Sequence, residues 1–265
     1  MNKILLTNNE IKYELDDKIE YEYIDDLINK LKIKVVKNTK LELKIDNIEE
    51  IKLNIEFEIM DNIKLELVEI KNNIKTKILN KYNLNKKSTI NIIKAYDVLS
   101  INEKNIVNLN NENANCNVIL KTVSKNTEKY DFTINHNSSN TISDITTNGL
   151  NVSGNLNIMV TTYIPSGNKD CIANQQNRII NLTDKECVIK PNLLIEEVDV
   201  TANHSALIGS FKDEEIFYLQ RLGISYNDAT KLLIEGFIKN KIPEKIANNF
   251  KKYWRWIWTV MIFYY

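Results

Sequence analysis

Apolar and polar residues alternate one by one along most of this chain, from residue 40 to residue 200, and no helical pattern interrupts them. Because successive side chains of a strand point to opposite faces, this alternation predicts β-strands with one buried face each. Clusters of Asn, Asp, Ser and Gly separate the runs and predict turns. The clearest runs are Leu41, Leu43 and Ile45; Leu53, Ile55, Phe57 and Ile59; Leu65 and Leu67; Cys116, Val118 and Leu120; and Leu156, Ile158 and Val160.

Many short strands without intervening helices predict a mainly β fold, as a sandwich, a barrel or a β-solenoid. Polar, Asn-rich turns favour the solenoid, in which equivalent turns stack from one rung to the next. The chain has no exact sequence repeat, so the alternation alone leaves the three architectures open. Disorder is disfavoured, because the 265 residues include only 6 Gly and 3 Pro.

The pattern changes near Ser210, where apolar residues begin to recur at helical spacing. Ser210 and Asp213 predict the capped start of a first helix, and Gly223 predicts its end. Ser225 repeats the start signal for a second helix, and Pro243 is suited to open a third. The C-terminal part of the chain is therefore expected to form a small α-helical domain.

Three segments follow from these patterns. Residues 1–38 have no clear assignment, and within them residues 20–32 fit either a short helix or a strand. Residues 39–209 form the β core. Residues 210–265 form the helical domain, which follows the core with little or no linker.

Charge and length exclude several classes of protein. The 35 basic and 35 acidic side chains balance, which removes the broad attraction that nucleic acid or anionic lipid requires. No apolar stretch approaches the length of a membrane span or of a signal peptide. The 3 cysteines are odd in number and lack a C-x-x-C spacing, which is typical of reduced thiols and indicates a cytoplasmic protein.

Enzymatic motifs are absent from the sequence: there is no phosphate-binding loop, dinucleotide fingerprint, zinc-protease motif or nucleophile elbow. His136 and His204 are the only histidines. The many carboxylates mostly alternate with apolar residues, so we expect them on a solvated sheet face rather than in acid–base pairs. These observations indicate a protein that is not an enzyme.

Soft metal ligands are few, and His204 has the most distinctive setting. We expect it in a loop between the last strand and the first helix, where a neutral imidazole can bind iron or zinc, although a histidine held by nearby backbone is the commoner case. Cys187 is either a small buried hydrophobe or a thiolate that carries sulfur or binds a metal. Cys116 is predicted to point inward and be inert, and Cys171, in a polar stretch, to be exposed.

The aromatic tail contains Trp254, Trp256 and Trp258, which do not lie on a single helical face. It is interpreted as a partner-docking, membrane-surface or stacking segment, against the alternative of a C-terminal helix packed onto its own domain.

Two motifs resemble the signature of the SufB/SufD family. Residues 204–209 (HSALIG) and 213–224 (DEEIFYLQRLGI) are similar to H-G-A-T-x-G followed by D-E-x-x-F-Y-L-x-S-R-G-I. The family then has a helix with a G-F pair, here Gly236 and Phe237.

Further matches lie upstream. Residues 175–178 (QQNR) and 190–195 (KPNLLI) resemble the family's Q-x-x-R and K-P-x-L-x-I. His136, with Thr141, Ser143 and Gly149, resembles its H…T-x-S-x-I…G stretch.

The resemblance implies a right-handed parallel β-helix with a small C-terminal α-helical domain. It also implies that the chain pairs with a SufB-like chain through the β-helices and holds the ABC-type ATPase SufC through the C-terminal helices. Such a complex builds iron–sulfur clusters from iron and from sulfur that a cysteine desulfurase system supplies indirectly. A transient cluster or iron, and reduced flavin, are implied at the level of the complex, with no cofactor bound stably by this chain.

Among the two branches, the resemblance favours SufD. Asn203 and Ser205 stand where SufB has glutamates around its histidine, and Ala202 replaces the cysteine of the SufD C-x-H pattern. His204 is therefore the only implied ligand that remains, both as a metal ligand and as part of a cluster-assembly interface. The residues implied to dock SufC are Asp213, Glu214, Glu215, Phe217, Tyr218, Arg221, Gly223 and Phe237.

The function implied is that of a SufD-like scaffold for iron–sulfur cluster assembly. One alternative is a minimal SufB-like scaffold in which two identical chains pair. More distant alternatives are a β-solenoid enzyme acting on polysaccharide, which would need clustered carboxylates along a groove, and a structural solenoid, which would need repeats.

Overall fold

A computed structural model describes residues 1–7, 10–24 and 29–250, and these form two parallel β-sheets followed by short helices. The strands are β1 Asn2–Leu6, β2 Ile11–Glu14, β3 Ile19–Ile24, β4 Asn29–Val35, β5 Thr39–Asp46, β6 Glu49–Ile59, β7 Lys64–Asn72, β8 Lys75–Leu84, β9 Thr89–Asp97, β10 Ser100–Leu109, β11 Asn115–Ser124, β12 Thr127–His136, β13 Ile142–Asn151, β14 Asn155–Ile164, β15 Cys171–Asn181, β16 Cys187–Ile195 and β17 Val200–Gly209.

From β4 onward, successive strands alternate between the two sheets, which is the topology of a parallel β-helix. Sheet A has the order β17-β15-β13-β11-β9-β7-β5-β1-β2, and sheet B has the order β16-β14-β12-β10-β8-β6-β4-β3. Neighbours in each sheet are parallel from β4 onward, which confirms the predicted parallel sheet and selects the solenoid among the three architectures.

Rung length explains why the sequence shows no exact repeat. The side chains of Asn108 and Asn83, on neighbouring rungs of sheet B, are 25 residues apart, whereas Asn174 and Asp144, on neighbouring rungs of sheet A, are 30 apart. The alternation stays in phase because each rung keeps its inward positions in register with those of the rung below. Most of the inward apolar side chains form one hydrophobic cluster, and Ile164, Cys171 and Ala173 form a smaller one.

Asparagine supports this stacking at the corners and on the outer face. Asn47, Asn73 and Asn140 have φ values of 52°, 50° and 58°, a conformation that Asn tolerates better than most residues. On sheet B, Asn108 donates from Nδ2 to Asn83 Oδ1 at 2.8 Å, and Asn135 donates to Asn108 Oδ1 at 2.9 Å. The high Asn content thus has a structural use in this fold.

The N-terminal end of the solenoid is closed by two antiparallel pairs. β1 pairs with β2, and β3 pairs with β4, so residues 20–24 and 29–32 are extended strand rather than helix. β1 and β4 in turn join the parallel ladders through β5 and β6.

The C-terminal helices are α1 Asp213–Arg221, α2 Tyr226–Lys239 and α3 Glu244–Ala247, followed by a 3₁₀ turn at Asn248–Phe250. The predicted cap at Ser210 is wrong: Lys212 is the N-cap residue of α1, and its backbone N–H donates to the Glu215 carboxylate at 3.0 Å. The other helix signals are confirmed.

Gly223 follows α1 at φ 82°, and Ser225 Oγ accepts from the Asp228 N–H at 3.2 Å to cap α2. Pro243 immediately precedes α3. The aromatic tail lies outside the described residues. Within the described chain, no helix is long and apolar enough to cross a membrane.

The helical unit packs on the outer face of sheet A through a second hydrophobic cluster. Ala95, Val123, Leu150 and Ile180 come from the sheet, and Ile234, Phe237, Ile238 and Phe250 are among the residues that come from the helical unit. The outer face of sheet A is therefore covered by helices at rungs β9 to β15.

Candidate functional site: the open end of the solenoid and the helical unit

The middle of the solenoid contains buried charges that sequence reasoning missed. The side chains of Glu69, Lys71, Lys94 and Glu103 are fully buried. Lys71 Nζ lies 3.0 Å from Glu69, and Lys94 Nζ lies 2.7 Å from Glu69 and 3.2 Å from Glu103. Lys71 also bonds to Glu103, and Tyr96 donates to Glu69. The expectation that the carboxylates lie on a solvated face is therefore wrong for Glu69 and Glu103.

Electrostatics favour the ionised forms of Glu69, Lys71 and Glu103, whose pKa values are shifted in that direction. Burial alone would raise the pKa of Glu69, but Lys71 and Lys94 more than offset burial and hold that pKa below its ordinary value. The sequence did contain the signal: Leu65 and Leu67 point inward, and the same alternation continues onto Glu69 and Lys71. The two carboxylates and the two ammonium groups of the cluster balance one another inside the enclosed core.

A separate carboxyl, Glu128, is also fully buried. It accepts from Thr122 Oγ1 at 2.6 Å and from the Tyr130 hydroxyl at 2.8 Å, and its other oxygen has no partner within the described residues. Burial raises its pKa to about 7. This carboxyl, too, was expected on a solvated face.

The C-terminal end of the solenoid is open. β16 and β17 are the last strands of their sheets, and each has a hydrogen-bonded strand neighbour on only one side within the described chain. Large apolar side chains are exposed there: Leu194 is 54% exposed, Val198 89% and Leu207 51%. Such an edge, with free backbone groups beside apolar side chains, is suited to association with another chain.

His204 lies within this open edge. It is in the middle of β17, so the expectation of a loop between the last strand and the first helix is wrong. It pairs with Gln175, whose side chain points inward, so His204 continues an inward column of the solenoid, and no further rung covers it within the described residues. The register of β17 therefore explains the exposure of its imidazole.

A polar floor lies one rung beneath His204. Gln175 donates from Nε2 to Thr162 Oγ1 at 2.9 Å and to the Asn192 carbonyl at 3.1 Å, while its Oε1 is buried and has no partner within the described residues. Beside it, Thr147 donates to Asn177 Oδ1 at 2.7 Å. These hydrogen bonds hold Gln175 and Asn177, on which the inward side chains of the last rung stack.

Metal ligands are sparse at this end. Nowhere in residues 1–7, 10–24 and 29–250 do three or more His, Cys, Asp or Glu side chains group in a way that holds a metal ion. His204, the expected metal ligand, is therefore not part of such a group.

The helical unit presents an exposed apolar surface. Phe217 is 61% exposed, Tyr218 65%, Leu222 63% and Leu232 48%. Of the residues implied to dock a partner, Asp213, Glu214, Arg221 and Gly223 are also exposed, and Glu215 is the capping carboxylate. Phe237 is buried against sheet A, so it supports the helical unit from beneath and is not itself part of the exposed surface.

Comparison with known protein families identifies the family of this chain. The family model for the SufBD core domain of SUF-system iron–sulfur cluster assembly matches residues 32–237, which is most of the chain and includes β17, α1 and most of α2. The chain belongs to the SufBD family. This membership removes the support for a polysaccharide-acting enzyme or a purely structural solenoid.

Relatives of this SufBD chain include SufD proteins. The SufD of Bacillus subtilis is 34% identical over 90 residues, which cover 34% of this chain and 21% of that protein. The SufD of Escherichia coli is 44% identical over 48 residues, or 18% of this chain and 11% of that protein. A SufBD family protein of Pyrococcus horikoshii is 37% identical over 62 residues, or 22% and 14%. The chain is therefore SufD-like, and each match spans about a fifth or less of the relative's length.

The structure gives physical roles to motif residues of this SufBD chain. His136 is buried, and its ring nitrogens lie 2.8 Å from Thr141 Oγ1 and 2.9 Å from Ser143 Oγ. Burial lowers its pKa to about 4, so it is neutral. The H…T-x-S stretch is thus a core hydrogen-bond network, and a Cβ at Gly149 would lie 2.4 Å from Leu156 Cδ2, so a larger residue there would require Leu156 to shift.

The three thiols of this SufBD chain are free. Cys116 is buried as predicted, and burial raises its pKa to about 12. Cys171 is fully buried, contrary to the expectation of exposure, and lies 3.2 Å from Thr141 Oγ1. Cys187 is half-buried, and burial raises its pKa although Asn151 donates to its Sγ at 3.2 Å. A neutral thiol is a poor nucleophile and metal ligand.

Proposed function

We propose that this chain is a SufD-like scaffold subunit in iron–sulfur cluster assembly, and that it pairs with a SufB-like chain through the open end. The observation that carries this proposal is the last rung. Its strands β16 and β17 offer unpaired backbone groups beside exposed Leu194, Leu207 and Ile208. A partner that continues both sheets would satisfy the backbone groups and bury the apolar side chains together.

The helical unit would dock a SufC-like ABC ATPase. Phe217, Tyr218 and Leu222 form an exposed apolar surface next to the acidic start of α1. These three side chains are not part of the hydrophobic core of the described chain. Hydrolysis of ATP would occur in the ATPase, since the sequence of this chain carries no phosphate-binding loop. The chain would act as a scaffold rather than as an enzyme, in a cytoplasm that keeps its three thiols reduced.

The cluster is cargo in this proposal rather than a resident cofactor. His204 would supply one ligand at the pairing interface, and the partner would supply the others. A bound flavin is not supported, because the inward columns of the last rung contain no aromatic or basic side chain apart from His204. Those columns are Cys187, Ile189, Pro191, Leu193 and Ile195 on β16, and Val200, Ala202, His204, Ala206 and Ile208 on β17.

Co-expression with a SufB-like and a SufC-like chain tests the proposal. Native mass spectrometry is expected to find one copy of this chain with the SufB-like chain and the ATPase. Removal of residues 210–265 should abolish ATPase binding while pairing with the SufB-like chain is kept. A complex with two copies of this chain and no SufB-like chain would instead favour the self-pairing scaffold. ATPase binding by the bare β-helix would place the docking surface elsewhere.

A further inference from the structure

An unusual group of positive charges lies where the helical unit meets the solenoid. Lys121 is fully buried on the outer face of sheet A, and Arg178 follows on the same ladder two rungs later, with Asn148 between them. Within the described chain, neither cation lies within ion-pair distance of a carboxylate. A buried charge without a partner is strongly unfavourable, so this position needs another source of negative charge.

Helix α2 supplies that negative charge. Lys121 Nζ donates to the Phe237 carbonyl at 3.0 Å and to Asn148 Oδ1 at 3.1 Å. The Phe237 carbonyl is one of the last four of α2, which have no partner inside the helix and carry the negative end of its dipole. The Phe237 ring adds its electron-rich face, since Lys121 Nζ lies 5.6 Å and Arg178 Cζ 5.5 Å from its centroid.

The stabilisation of the buried Lys121 charge therefore depends on the position of α2. Burial, with a smaller effect from nearby Lys241, lowers the pKa of Lys121 to about 8, which reflects how little negative charge surrounds it. Lys241, just after α2, donates to Gln176 Oε1 at 3.3 Å and so also ties the helix end to β15. If α2 moved away, Lys121 would lose the Phe237 carbonyl, and both cations would lose the Phe237 ring.

The contacts of Lys121 and Arg178 with Phe237 are called the joint from here on. Arg178 also connects this joint to the open end. It is on β15, three residues after Gln175, and because three positions along a strand reverse the face, Arg178 points toward the helices while Gln175 points into the lumen beneath His204. The same short segment of β15 thus contacts the helical unit through Arg178 and lies beneath His204 through Gln175.

We propose that Lys121 and Arg178 are positioning residues for the helical unit, and that their grip on Phe237 transmits movement of α2 to β15 and the last rung. This inference rests on the proposed function, because it assigns the joint a role in coupling the docked ATPase to the site at His204. It also gives the Q-x-x-R motif and the phenylalanine of the G-F pair a shared mechanical role.

The first test uses the isolated chain and needs no partner. Lys121→Met removes the charge and the donor but keeps most of the volume, and the exposed Lys104→Met on sheet B is the matched control. Hydrogen–deuterium exchange is expected to show at least a tenfold faster exchange of amides in the second half of α2 for Lys121→Met, with the strand amides of β7 to β13 unchanged. Wild-type exchange rates in α2 of Lys121→Met would overturn the proposal that Lys121 positions the helical unit.

Two further variants separate the contributions. Phe237→Leu keeps the backbone acceptor but removes the ring, and Arg178→Met removes the second cation; each is expected to accelerate α2 exchange less than Lys121→Met does. They also keep the test decisive if Lys121→Met fails to fold. Unchanged α2 exchange in both would then refute the joint.

The second test asks about coupling in the assembled complex. Lys121→Met should bind the SufC-like ATPase within about twofold of wild type, because the exposed surface on α1 is intact, yet cluster assembly should fall at least fivefold. Wild-type assembly despite faster α2 exchange would refute transmission. If the wild-type chain does not bind the ATPase at all, the proposed function fails, while the exchange comparison still decides whether the joint exists.

Discussion

The middle of the solenoid and its last rung both have polar side chains at inward-facing positions. The charged side chains of the middle are enclosed and paired with one another, whereas the last rung is exposed. In the middle, Glu69, Lys71, Lys94 and Glu103 are enclosed and neutralise one another. At the open end, Gln175 lies one rung beneath His204 and is buried, and its Oε1 lacks a partner within the described chain, whereas His204 on the last rung is exposed. The difference indicates that the charged cluster of the middle is closed off from other molecules, whereas His204 is available to one.

The largest expected effect is in the middle. Lys71→Met leaves the two buried carboxylates with Lys94 alone, so we expect a loss of about 3–5 kcal/mol in the free energy of unfolding. The exposed pair of Lys32 and Glu22, at 3.1 Å, gives a control: Lys32→Met should change stability by less than about 1 kcal/mol. Denaturant unfolding measures both. Similar small losses for the two variants would contradict a stabilising role for the buried cluster.

The next effect is a pH dependence that arises from Glu128. Its folded-state pKa of about 7 lies above the ordinary value of 4.5, so the folded chain holds a proton that the unfolded chain releases between these values. This contribution is fully present below about pH 4.5 and is lost as the pH rises through 7, by up to about 3 kcal/mol. Glu128→Gln stays neutral and should remove this part of the dependence, as unfolding at pH 5 and pH 8 will show. An identical pH profile for variant and wild type would contradict it.

The smallest effect on stability, and the largest on function, is expected at His204. His204→Ala removes an exposed side chain and should cost at most about 1 kcal/mol in stability. Cluster assembly or iron retention by the reconstituted complex should nevertheless fall sharply. Asn203→Ala is the control, because Asn203 points to the opposite face of β17. If His204→Ala supports growth under iron limitation in a SufD-deficient cell and Cys187→Ala does not, the thiol is the functional group.

The alternation of side chains made the fold accessible from sequence, since each strand of the core keeps one buried face. The family motifs added the choice of a solenoid. The buried charges were missed because a Glu or Lys among apolar residues is usually solvated, and only the phase of Leu65 and Leu67 places Glu69 and Lys71 inside. His204 was assigned to a loop because residues 202–206 (ANHSA) lack the alternation of large apolar and polar residues that marks the other strands.

The joint at Lys121 was inaccessible to sequence reasoning for a different reason. Its contacts with Phe237 span 116 residues, and neither the strand pattern nor the helix pattern relates the two positions. Long-range contacts between a sheet face and a separate helical unit require the three-dimensional packing itself.

Amide exchange on the assembled complex tests most directly whether the open end is the pairing surface. On addition of the SufB-like partner, the account predicts slower exchange in β16 and β17, with β2 at the closed end unchanged. Protection confined to β2 or to the helices, with β16 and β17 exchanging as in the isolated chain, would contradict it.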